Sequence, residues 1–493
     1  MLASLLYSMD WTIAAVALPH MQGTFSATQD QISWVITSYI VASAIMIPTA
    51  GWLSTRFGRK RVFLCAVGGF TAASVLCGAA DSLTMEVLAR IVQGMSGAFL
   101  IPLSHAIILD TYPPEQHGKA MALWGMGSVC GAIIGPTVGG YVTEYLSWRY
   151  IYYLNVPFGL VALLGAAAFV PETQRDPKRR LDWFGFLALA LGIGALQMML
   201  DRGQRLDWFE SSEIVVLACL AVLGVYLFAV HILTARDPFL DPRLIGQRNF
   251  FVSLVLIAFY GLLTLPPMVL MPTFLEGLRG YSIDAVGLLQ SPRGVGLLTA
   301  LFVGGRISGR VDPRLLIGFG LLCLAFPSWE MSGWTAEVAA WPIVWTGLLQ
   351  GIGAGIMLVP IQMIAFPGLA PHHRTEATAT FNLVRSLFSS VGVSAALTLF
   401  VVTSSQTRAR LVEHVSPYSE ALHQAAGFDT GTQHGVALIE REIERQAAMA
   451  AYNADFLLIA IASVAVLPLL LLVGRDRRAR TPPSPDEAVM IAE

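Results

Sequence analysis

Two charged residues stand inside segments that are otherwise apolar. Asp10 lies in MDWTIAAVALP (residues 9–19), and Arg90 lies in LARIVQG (residues 88–94). A charge at the centre of a bilayer costs about 2.5–3.5 kcal/mol on insertion scales, so it usually persists by pairing or by serving a function. Asp10 is the nearest intramembrane partner for Arg90, and Gln93 lies one turn from Arg90 on the same helix face. An alternative stays open, in which Arg90 reaches out to the membrane surface.

The composition places these charges in a membrane protein. Of the 493 residues, 55% are hydrophobic and only 13% are charged, whereas soluble domains carry about 25% charged residues. The net charge of -2 gives no electrostatic reason to expect nucleic-acid binding. The five cysteines are scattered without a CxxC pair, so we expect neither a disulfide framework nor a metal site.

The apolar runs predict an all-α polytopic membrane protein. A membrane span needs about 20 mainly apolar residues, and runs of this kind recur from one end of the chain to the other. Splitting them at polar loops predicts about fourteen helices. Their limits are 1–22, 31–54, 62–80, 84–108, 118–142, 150–170, 183–201, 213–234, 250–274, 284–306, 313–333, 340–365, 376–403 and 454–473.

The distribution of basic residues predicts the orientation of the spans. One set of loops is rich in Lys and Arg, at 56–61, 175–180, 305–314 and 475–480, whereas the loops at 22–31 and 80–86 contain neither residue. Basic loops stay in the cytoplasm. An even number of spans then predicts a multi-pass membrane protein with both termini in the cytoplasm.

The first helix is short on its cytoplasmic side. Only nine residues precede Asp10, and none of them is basic. If Asp10 lies near the membrane midplane, this helix lacks part of its inner half. We expect either a natural chain that begins earlier or a short first helix.

An internal repeat predicts the domain organisation. VQGMSGAFLIP (residues 92–102) resembles LQGIGAGIMLVP (residues 349–360), which pairs span four with span twelve. Spans one to six then match spans nine to fourteen, and two spans are inserted between them. Two such halves facing each other fit transport by alternating access. We expect an N-terminal six-helix bundle at 1–175, two inserted helices at 176–240, a C-terminal six-helix bundle at 241–480 with a periplasmic loop at 404–453, and a cytoplasmic tail at 481–493.

The loop between spans two and three carries a candidate gating motif. In GWLSTRFGRKR (residues 51–61), glycines permit a tight turn and close helix approach, and the basic residues anchor the cytoplasmic face. A generic basic loop is the alternative, but the combined spacing favours a gate. The candidate residues are Gly51, Arg56, Gly58, Arg59 and Lys60.

Span five carries a second candidate gating motif, GAIIGPTVGG (residues 131–140). Gly131 and Gly135 form a GxxxG pair, which favours close packing against another helix. Pro136 removes a backbone hydrogen bond and bends the helix. With Gly139 and Gly140, these residues predict a helix that moves against its neighbour.

Other polar residues within the spans are candidates for the translocation path. Gln93, Gly94 and the repeat-related Gln350 belong to it, together with Arg385, which has no obvious acidic partner. The sequence contains no phosphate-binding G-x-x-x-x-G-K-[ST] loop, no H-E-x-x-H and no G-x-S-x-G. We therefore expect neither ATP-driven pumping nor an enzyme, and no organic cofactor.

Taken together, these motifs resemble the major facilitator superfamily, and within it the fourteen-span drug:proton antiporters of the EmrB/QacA group. WRYIYYLNVPFG (residues 148–159) is similar to the sixth span of that group, and LQMMLDRGQRLDWF (residues 196–209) looks closer to the EmrB branch than to the QacA branch. The resemblance covers nearly the whole chain. It departs from the group at Thr55, where the basic loop usually has an acid, and at Ala15, where the first span usually has an asparagine.

The resemblance implies a proton-coupled exporter of lipophilic or amphipathic toxic compounds across the bacterial inner (plasma) membrane. Such pumps work with a periplasmic membrane-fusion adaptor and an outer-membrane channel. The proton would be the coupling ion, bound by Asp10 and coupled to Arg90. Burial disfavours the ionised form of a carboxyl group and a nearby cation favours it, so alternating access can change the balance between loading and release.

Three questions stay open from the sequence. ALIEREIERQ (residues 437–446) predicts an amphipathic helix, which either docks an adaptor or forms a solvated hairpin. The exported compound is either a drug or an endogenous metabolite, lipid or siderophore. A more remote alternative is a membrane receptor or scaffold that transports nothing.

Overall fold

The computed structural model describes residues 1–113, 116–173, 175–235, 238, 240–366, 369, 373–413, 415 and 432–474. These residues form helices and no strands, and fourteen of the helices are long and apolar enough to cross a membrane. The predicted all-α fold class and the predicted number of spans are confirmed. The predicted tail at 481–493, the basic segment at 475–480 and residues 416–431 of the predicted loop lie outside the described residues.

We number the fourteen spanning helices α1 to α14. Their bounds are Leu2–Phe25, Asp30–Phe57, Arg59–Gly78, Leu83–Thr111, His117–Tyr145, Arg149–Phe169, Trp183–Leu206, Ser212–Thr234, Arg248–Leu278, Ala285–Ile307, Pro313–Met331, Ala340–Ala365, Arg374–Glu413 and Gln433–Leu472.

The helices pack in the same pattern in the two halves of the chain. In the N-terminal half, α1 packs on α5, α4 packs on both α2 and α3, and α3 packs on α6. In the C-terminal half, α9 packs on α13, α12 packs on both α10 and α11, and α11 packs on α14. The inserted helices α7 and α8 pack on each other, and α7 also contacts α2 and α13. The chain is therefore built as six helices, two inserted helices and six helices.

The two halves close together at one end of the bundle. We call it the basic end, because it carries the α2–α3 connection at Gly58 and the described basic segments at 175–180 and 305–314; the other is the opposite end. Apolar clusters at the basic end mix the halves: Ala379 and Leu383 of α13 join a cluster of the N-terminal half, and Met121 of α5 joins one of the C-terminal half. The two clusters toward the opposite end each contain residues of a single half. The described structure is therefore closed at the basic end.

The last two spanning helices extend well beyond a bilayer. Each is 40 residues long, and a rise of 1.5 Å per residue gives about 60 Å, twice the roughly 30 Å hydrocarbon core. The predicted limits 376–403 and 454–473 were therefore too short. The predicted loop at 404–453 was wrong where it is described, because α13 continues to Glu413 and α14 begins at Gln433. Polar residues ended the hydropathy signal, but they did not end the helices.

The extensions of α13 and α14 form a helical hairpin at the opposite end. Arg408 on α13 pairs with Glu440 on α14 at 2.8 Å. The predicted amphipathic segment at 437–446 lies within α14, where Ile439 is buried. We call the described parts of this feature, residues 404–413 and 433–450, the outer hairpin.

Candidate functional site

Asp10 lies inside the N-terminal half with no exposed surface. Its Oδ2 accepts a hydrogen bond from Arg90 Nη1 at 2.7 Å, which makes an ion pair between α1 and α4. Its Oδ1 accepts hydrogen bonds from the side-chain amides of Gln93 at 2.8 Å and Asn155 at 2.6 Å. Three side chains from α4 and α6 therefore converge on one buried carboxylate.

Arg90 is as deeply buried as its partner. Its Nη1 also donates to Gln93 Oε1 at 2.6 Å, and its Nε donates to the carbonyl of Val35 on α2 at 3.1 Å. The guanidinium lies over the ring of Tyr39, 4.2 Å from the ring centroid. A side chain held in this way does not reach water, so the interpretation of Arg90 as a surface-seeking residue is wrong.

The cluster also depends on residues that the sequence analysis missed. Gln93 Nε2 donates to Ser74 Oγ on α3 at 2.8 Å, which orients the amide toward Asp10. Asn155 lies in the quoted sixth-span segment but was not singled out. The only available signal was a single polar residue in an apolar run. We call Asp10, Ser74, Arg90, Gln93 and Asn155 the ion-pair cluster.

The ion-pair cluster is suited to binding and releasing a proton. Breaking a buried ion pair by removing one charge is costly, by about 3–5 kcal/mol, because the other charge stays buried without compensation. Protonation of Asp10 removes its charge and one of its acceptor positions. Arg90, Gln93 and Asn155 must then find other partners, so α1, α4 and α6 respond to one proton.

The C-terminal half contains an uncharged counterpart of this cluster. Gln350 on α12 donates through Nε2 to Ser328 Oγ on α11 at 3.1 Å, as Gln93 on α4 does to Ser74 on α3. The repeat seen in the sequence is therefore also a repeat of side-chain contacts. Within the described residues, Gln350 lies beside no ion pair. The charge is carried by one half alone.

The other predicted translocation residues do not join Gln93 in one pocket. Gly94 packs against the backbone of Tyr39 so closely that any side chain would overlap it, which indicates a packing role. Gln350 belongs to the other half. Arg385 on α13 is partly buried and interacts electrostatically with Tyr7 of α1 and Tyr260 of α9. It has no hydrogen bond or ion pair among the residues that the structure describes.

The predicted gating loop closes the basic end through Arg59. Its guanidinium binds Asp110 on α4, and its Nε donates to Thr375 Oγ1 on α13 of the other half at 3.0 Å. Arg374, also on α13, donates to Asp110 Oδ1 at 2.6 Å. Asp110 therefore joins two arginines, one from each half. The sequence analysis missed Asp110 because it ends a span, where polar residues are expected.

The glycines of this loop allow the close contact. Gly58 joins α2 to α3 with a φ of 89°, a conformation that side chains rarely adopt. Gly51 faces Glu376 of α13, and a Cβ there would lie 3.0 Å from the Glu376 Cβ. Arg56 Nη1 donates to the carbonyl of Arg179 at 2.9 Å. Lys60 makes no hydrogen bond or ion pair within the described part of the chain.

The glycines of α5 form a continuous face against α1. Side chains at Gly131, Gly135 and Gly139 would overlap atoms of Leu5, Thr12 and Ile13, respectively, whereas the nearest atom to a Cβ at Gly140 is 3.9 Å away. The helix runs through Pro136 without interruption. The backbone of α5 therefore lies directly on the helix that carries Asp10.

Comparison with known proteins agrees with this architecture. The family model described as "Major Facilitator Superfamily" matches residues 1–393. The multidrug export protein EmrB of Escherichia coli (strain K12) is 34% identical over 465 residues, covering 92% of this chain and 90% of that protein. The fatty acid resistance protein FarB of Neisseria gonorrhoeae is 33% identical over 483 residues, covering 96% of this chain and 94% of that protein.

Solved structures show the same fold at low sequence identity. The human organic anion transporter MFSD10 superposes with a TM-score of 0.62 at 18% identity, covering 94% of this chain and 97% of that one. A double Trp mutant of XylE superposes with a TM-score of 0.60 at 13% identity, covering 96% and 97%. The chain is a multi-span membrane transporter rather than an enzyme, and it belongs to the Major Facilitator Superfamily.

Proposed function

We propose that this transporter is a proton-coupled multidrug antiporter that exports lipophilic or amphipathic toxic compounds. The observation that carries the proposal is the fully buried ion pair of Asp10 and Arg90, held by hydrogen bonds from α4 and α6. Its relatives support the class of substrate, because several that match over nine tenths of this chain are named as multidrug export proteins.

The coupling step would follow from competition between Arg90 and a proton for the carboxylate of Asp10. With Asp10 ionised, Arg90 and the two amides hold α1, α4 and α6 together. A proton on Asp10 releases part of these contacts and favours a rearranged bundle. Tyr7 lies one turn before Asp10 on α1, and Tyr7 and Leu387 of α13 pack against the same apolar cluster. A compound bound between α1 and α13 would therefore be sensitive to the position of the helix that carries the proton.

The orientation follows from the basic loops. We place the basic end in the cytoplasm, which puts both termini there and the protein in the inner membrane. With this orientation, the described structure is closed toward the cytoplasm, as expected of a state in which a compound leaves and a proton enters on the other side. Opening at the basic end requires separation of Asp110 from Arg374.

The membrane potential provides enough free energy for useful efflux. Moving one charge through 100 mV is worth about 2.3 kcal/mol, and a tenfold gradient costs about 1.4 kcal/mol. One proton per exported molecule could therefore sustain a gradient of roughly forty-fold at that potential. No cofactor is needed beyond the coupling proton.

We also propose that the outer hairpin docks a periplasmic membrane-fusion adaptor, which would lead to an outer-membrane channel. The hairpin lies at the opposite end and extends outside the membrane as two paired helices. Both of its helices belong to the C-terminal half, so the hairpin would keep its shape when the two halves rock against each other. Export of an endogenous metabolite, lipid or siderophore is a second candidate; the relative FarB is named as a fatty acid resistance protein, which favours a lipid among these.

Proton movement in inverted vesicles tests the main proposal. The vesicles are energised, and ethidium, tetraphenylphosphonium or deoxycholate is then added to the unaltered chain, to Asp10→Asn and to Glu144→Gln, an exposed control at the opposite end. We expect substrate to lower the pH gradient with the unaltered chain and the control, but not with Asp10→Asn.

Three results would contradict the proposal. Equal responses from the unaltered chain and Asp10→Asn would place the proton site elsewhere. A response to an added fatty acid but to none of the three probes would favour the lipid exporter. No response to any compound, with the adaptor present, would favour a non-transporting protein.

A further inference from the structure

A second carboxyl group lies buried beside the ion-pair cluster. Glu86 on α4 has no exposed surface and precedes Arg90 by one helical turn. Neither of its carboxyl oxygens has a hydrogen-bond partner in the described part of the structure. It was not needed to explain how Asp10 is held, so its burial requires a separate explanation.

The charges around Glu86 do not balance if every group is ionised. Arg90 is shared with Asp10, which gives two carboxyl groups and one guanidinium. Arg149 on α6 also acts on Glu86 electrostatically, but it is partly exposed and donates to the carbonyl of Ala80 at 2.9 Å. The titratable or charged groups that interact with Glu86 are Asp10 of α1, Cys77 of α3, Arg90 of α4, and Arg149 and Tyr152 of α6.

Only one of the two carboxyl groups can be ionised at a time. An isolated buried carboxylate is far more costly than a neutral carboxyl group, so a group without a partner takes up a proton instead. Asp10 has the ion pair with Arg90 and two further hydrogen bonds from side-chain amides, and Glu86 has no hydrogen bond among the described residues. In this conformation the proton therefore belongs to Glu86.

Arg90 has a donor left for the second carboxyl group. Its Nε and Nη1 atoms are used by Val35, Asp10 and Gln93, whereas Nη2 has no hydrogen-bond partner. Residues four apart on a helix lie on the same face within reach of each other. A change of side-chain conformation, without movement of α4, can thus bring Arg90 to Glu86.

The positions of the two carboxyl groups indicate which of them a proton from the opposite end would reach first. Glu86 is three residues from the start of α4 at Leu83, next to the loop at the opposite end. Asp10 lies deeper, enclosed by α3, α4 and α6. Tyr152 directs its hydroxyl toward Glu86, although the contact does not have hydrogen-bond geometry in this state. Glu86 is therefore the carboxyl group that a proton from that side would meet first.

We propose that Glu86 is a second proton-binding residue and that Arg90 is shared alternately between Glu86 and Asp10. This inference rests on the proposed antiport. In the described state Glu86 is protonated and Asp10 pairs with Arg90. The proton then leaves Glu86 and binds Asp10, while Arg90 moves to the new carboxylate. Asp10 then releases the proton at the basic end as Glu86 takes one from the opposite side, and Arg90 returns to Asp10. One proton crosses in each cycle, and the three side chains together carry no net charge before and after each exchange.

Full-length protein in proteoliposomes tests the inference with ethidium, tetraphenylphosphonium and deoxycholate as probes. Proton-driven accumulation and downhill flux are measured for the unaltered chain, Glu86→Gln, Glu86→Asp and Glu144→Gln. Gln mimics a protonated Glu that cannot release its proton. We expect Glu86→Gln to keep downhill flux but lose accumulation and the pH dependence of transport. Glu86→Asp should recover part of both, and Glu144→Gln should behave like the unaltered chain.

An infrared measurement covers the case in which a variant folds poorly. The carbonyl stretch of a protonated carboxyl group should be present in the unaltered chain at neutral pH and should lose intensity in the Glu86→Gln difference spectrum. Accumulation and pH dependence equal to the unaltered chain in Glu86→Gln would overturn the inference, as would an infrared difference without that band. Failure of the unaltered chain to move protons with any probe would instead overturn the proposed function, and the inference with it.

Discussion

The closed basic end should depend strongly on one carboxylate, Asp110, because it joins arginines of both halves. It binds Arg59 of its own half and accepts a hydrogen bond of 2.6 Å from Arg374 of the other half. Arg374 also donates to the carbonyl of Leu109 at 3.0 Å, which Asp110→Asn would leave in place. The substitution is close in size and removes only the charge. It therefore tests the ion pairs rather than the packing beneath them.

The expected effect is a shift between the closed and open states. A hydrogen bond to a charged group is worth about 1.5–3 kcal/mol, and exposed ion pairs contribute about 0.2–1 kcal/mol. The side chain of Asp110 is 28% exposed, between these cases. We expect the closed state to lose about 1–2 kcal/mol, which at 1.36 kcal/mol per tenfold lowers the closed-to-open ratio by about five- to thirty-fold.

Distances between spin labels report this ratio directly. Arg61 and Leu472 are exposed at the basic end, one in each half, and would be replaced by labelled cysteines. In Asp110→Asn the population at longer distance should increase at the expense of the short one. Asp312→Asn is a suitable control, because Asp312 lies at the same end but caps α11 within one half. An unchanged distance distribution in Asp110→Asn, or the same change in both variants, would refute the role given to Asp110.

Substitutions at three further sites give distinct expectations. Gly135→Leu should abolish transport, because its side chain would overlap Thr12 on α1. Gly140→Leu should be tolerated, because the nearest atom to a Cβ at that position is 3.9 Å away; efflux assays compare the two variants. Gln93→Leu should lower thermal stability and transport more than Gln350→Leu, because Gln93 contacts the ion pair and Gln350 contacts none among the described residues. Loss of a neutral hydrogen bond costs about 1 kcal/mol, and loss of a hydrogen bond to a buried charge costs more. Arg385→Gln should reduce export of deoxycholate more than export of tetraphenylphosphonium, since Arg385 has no acidic partner among the described residues.

Hydropathy and charge were sufficient to predict the number and order of the spanning helices. Each of the fourteen predicted spans corresponds to one helix, because the bilayer imposes a minimum apolar length that the sequence records directly. The contact between Asp10 and Arg90 was also foreseeable, because few charged residues lie within the spans. The roles of both residues in proton transfer stay predictions.

The surroundings of the ion pair could not be predicted from the sequence. Asn155 lies 145 residues from the carboxylate that it binds, and Ser74 acts through Gln93. Nothing in a single apolar run shows which way its one polar side chain faces. Glu86 was missed for a related reason, because an acid near the end of a span is usually exposed.

The direct contact of α1 and α5 has a mechanical consequence. Because three glycines leave no side chain between the backbones of these helices, a shift of α1 must move α5 with it. Helix α5 also meets α10 of the other half, where Gly118 lies close to the carbonyl of Gly305 and Gly125 lies close to Leu301. Protonation of Asp10 is therefore expected to shift α5, and α10 of the other half with it, through direct packing contacts. Transmission of this kind would be insensitive to ionic strength, unlike the charged closure at the basic end.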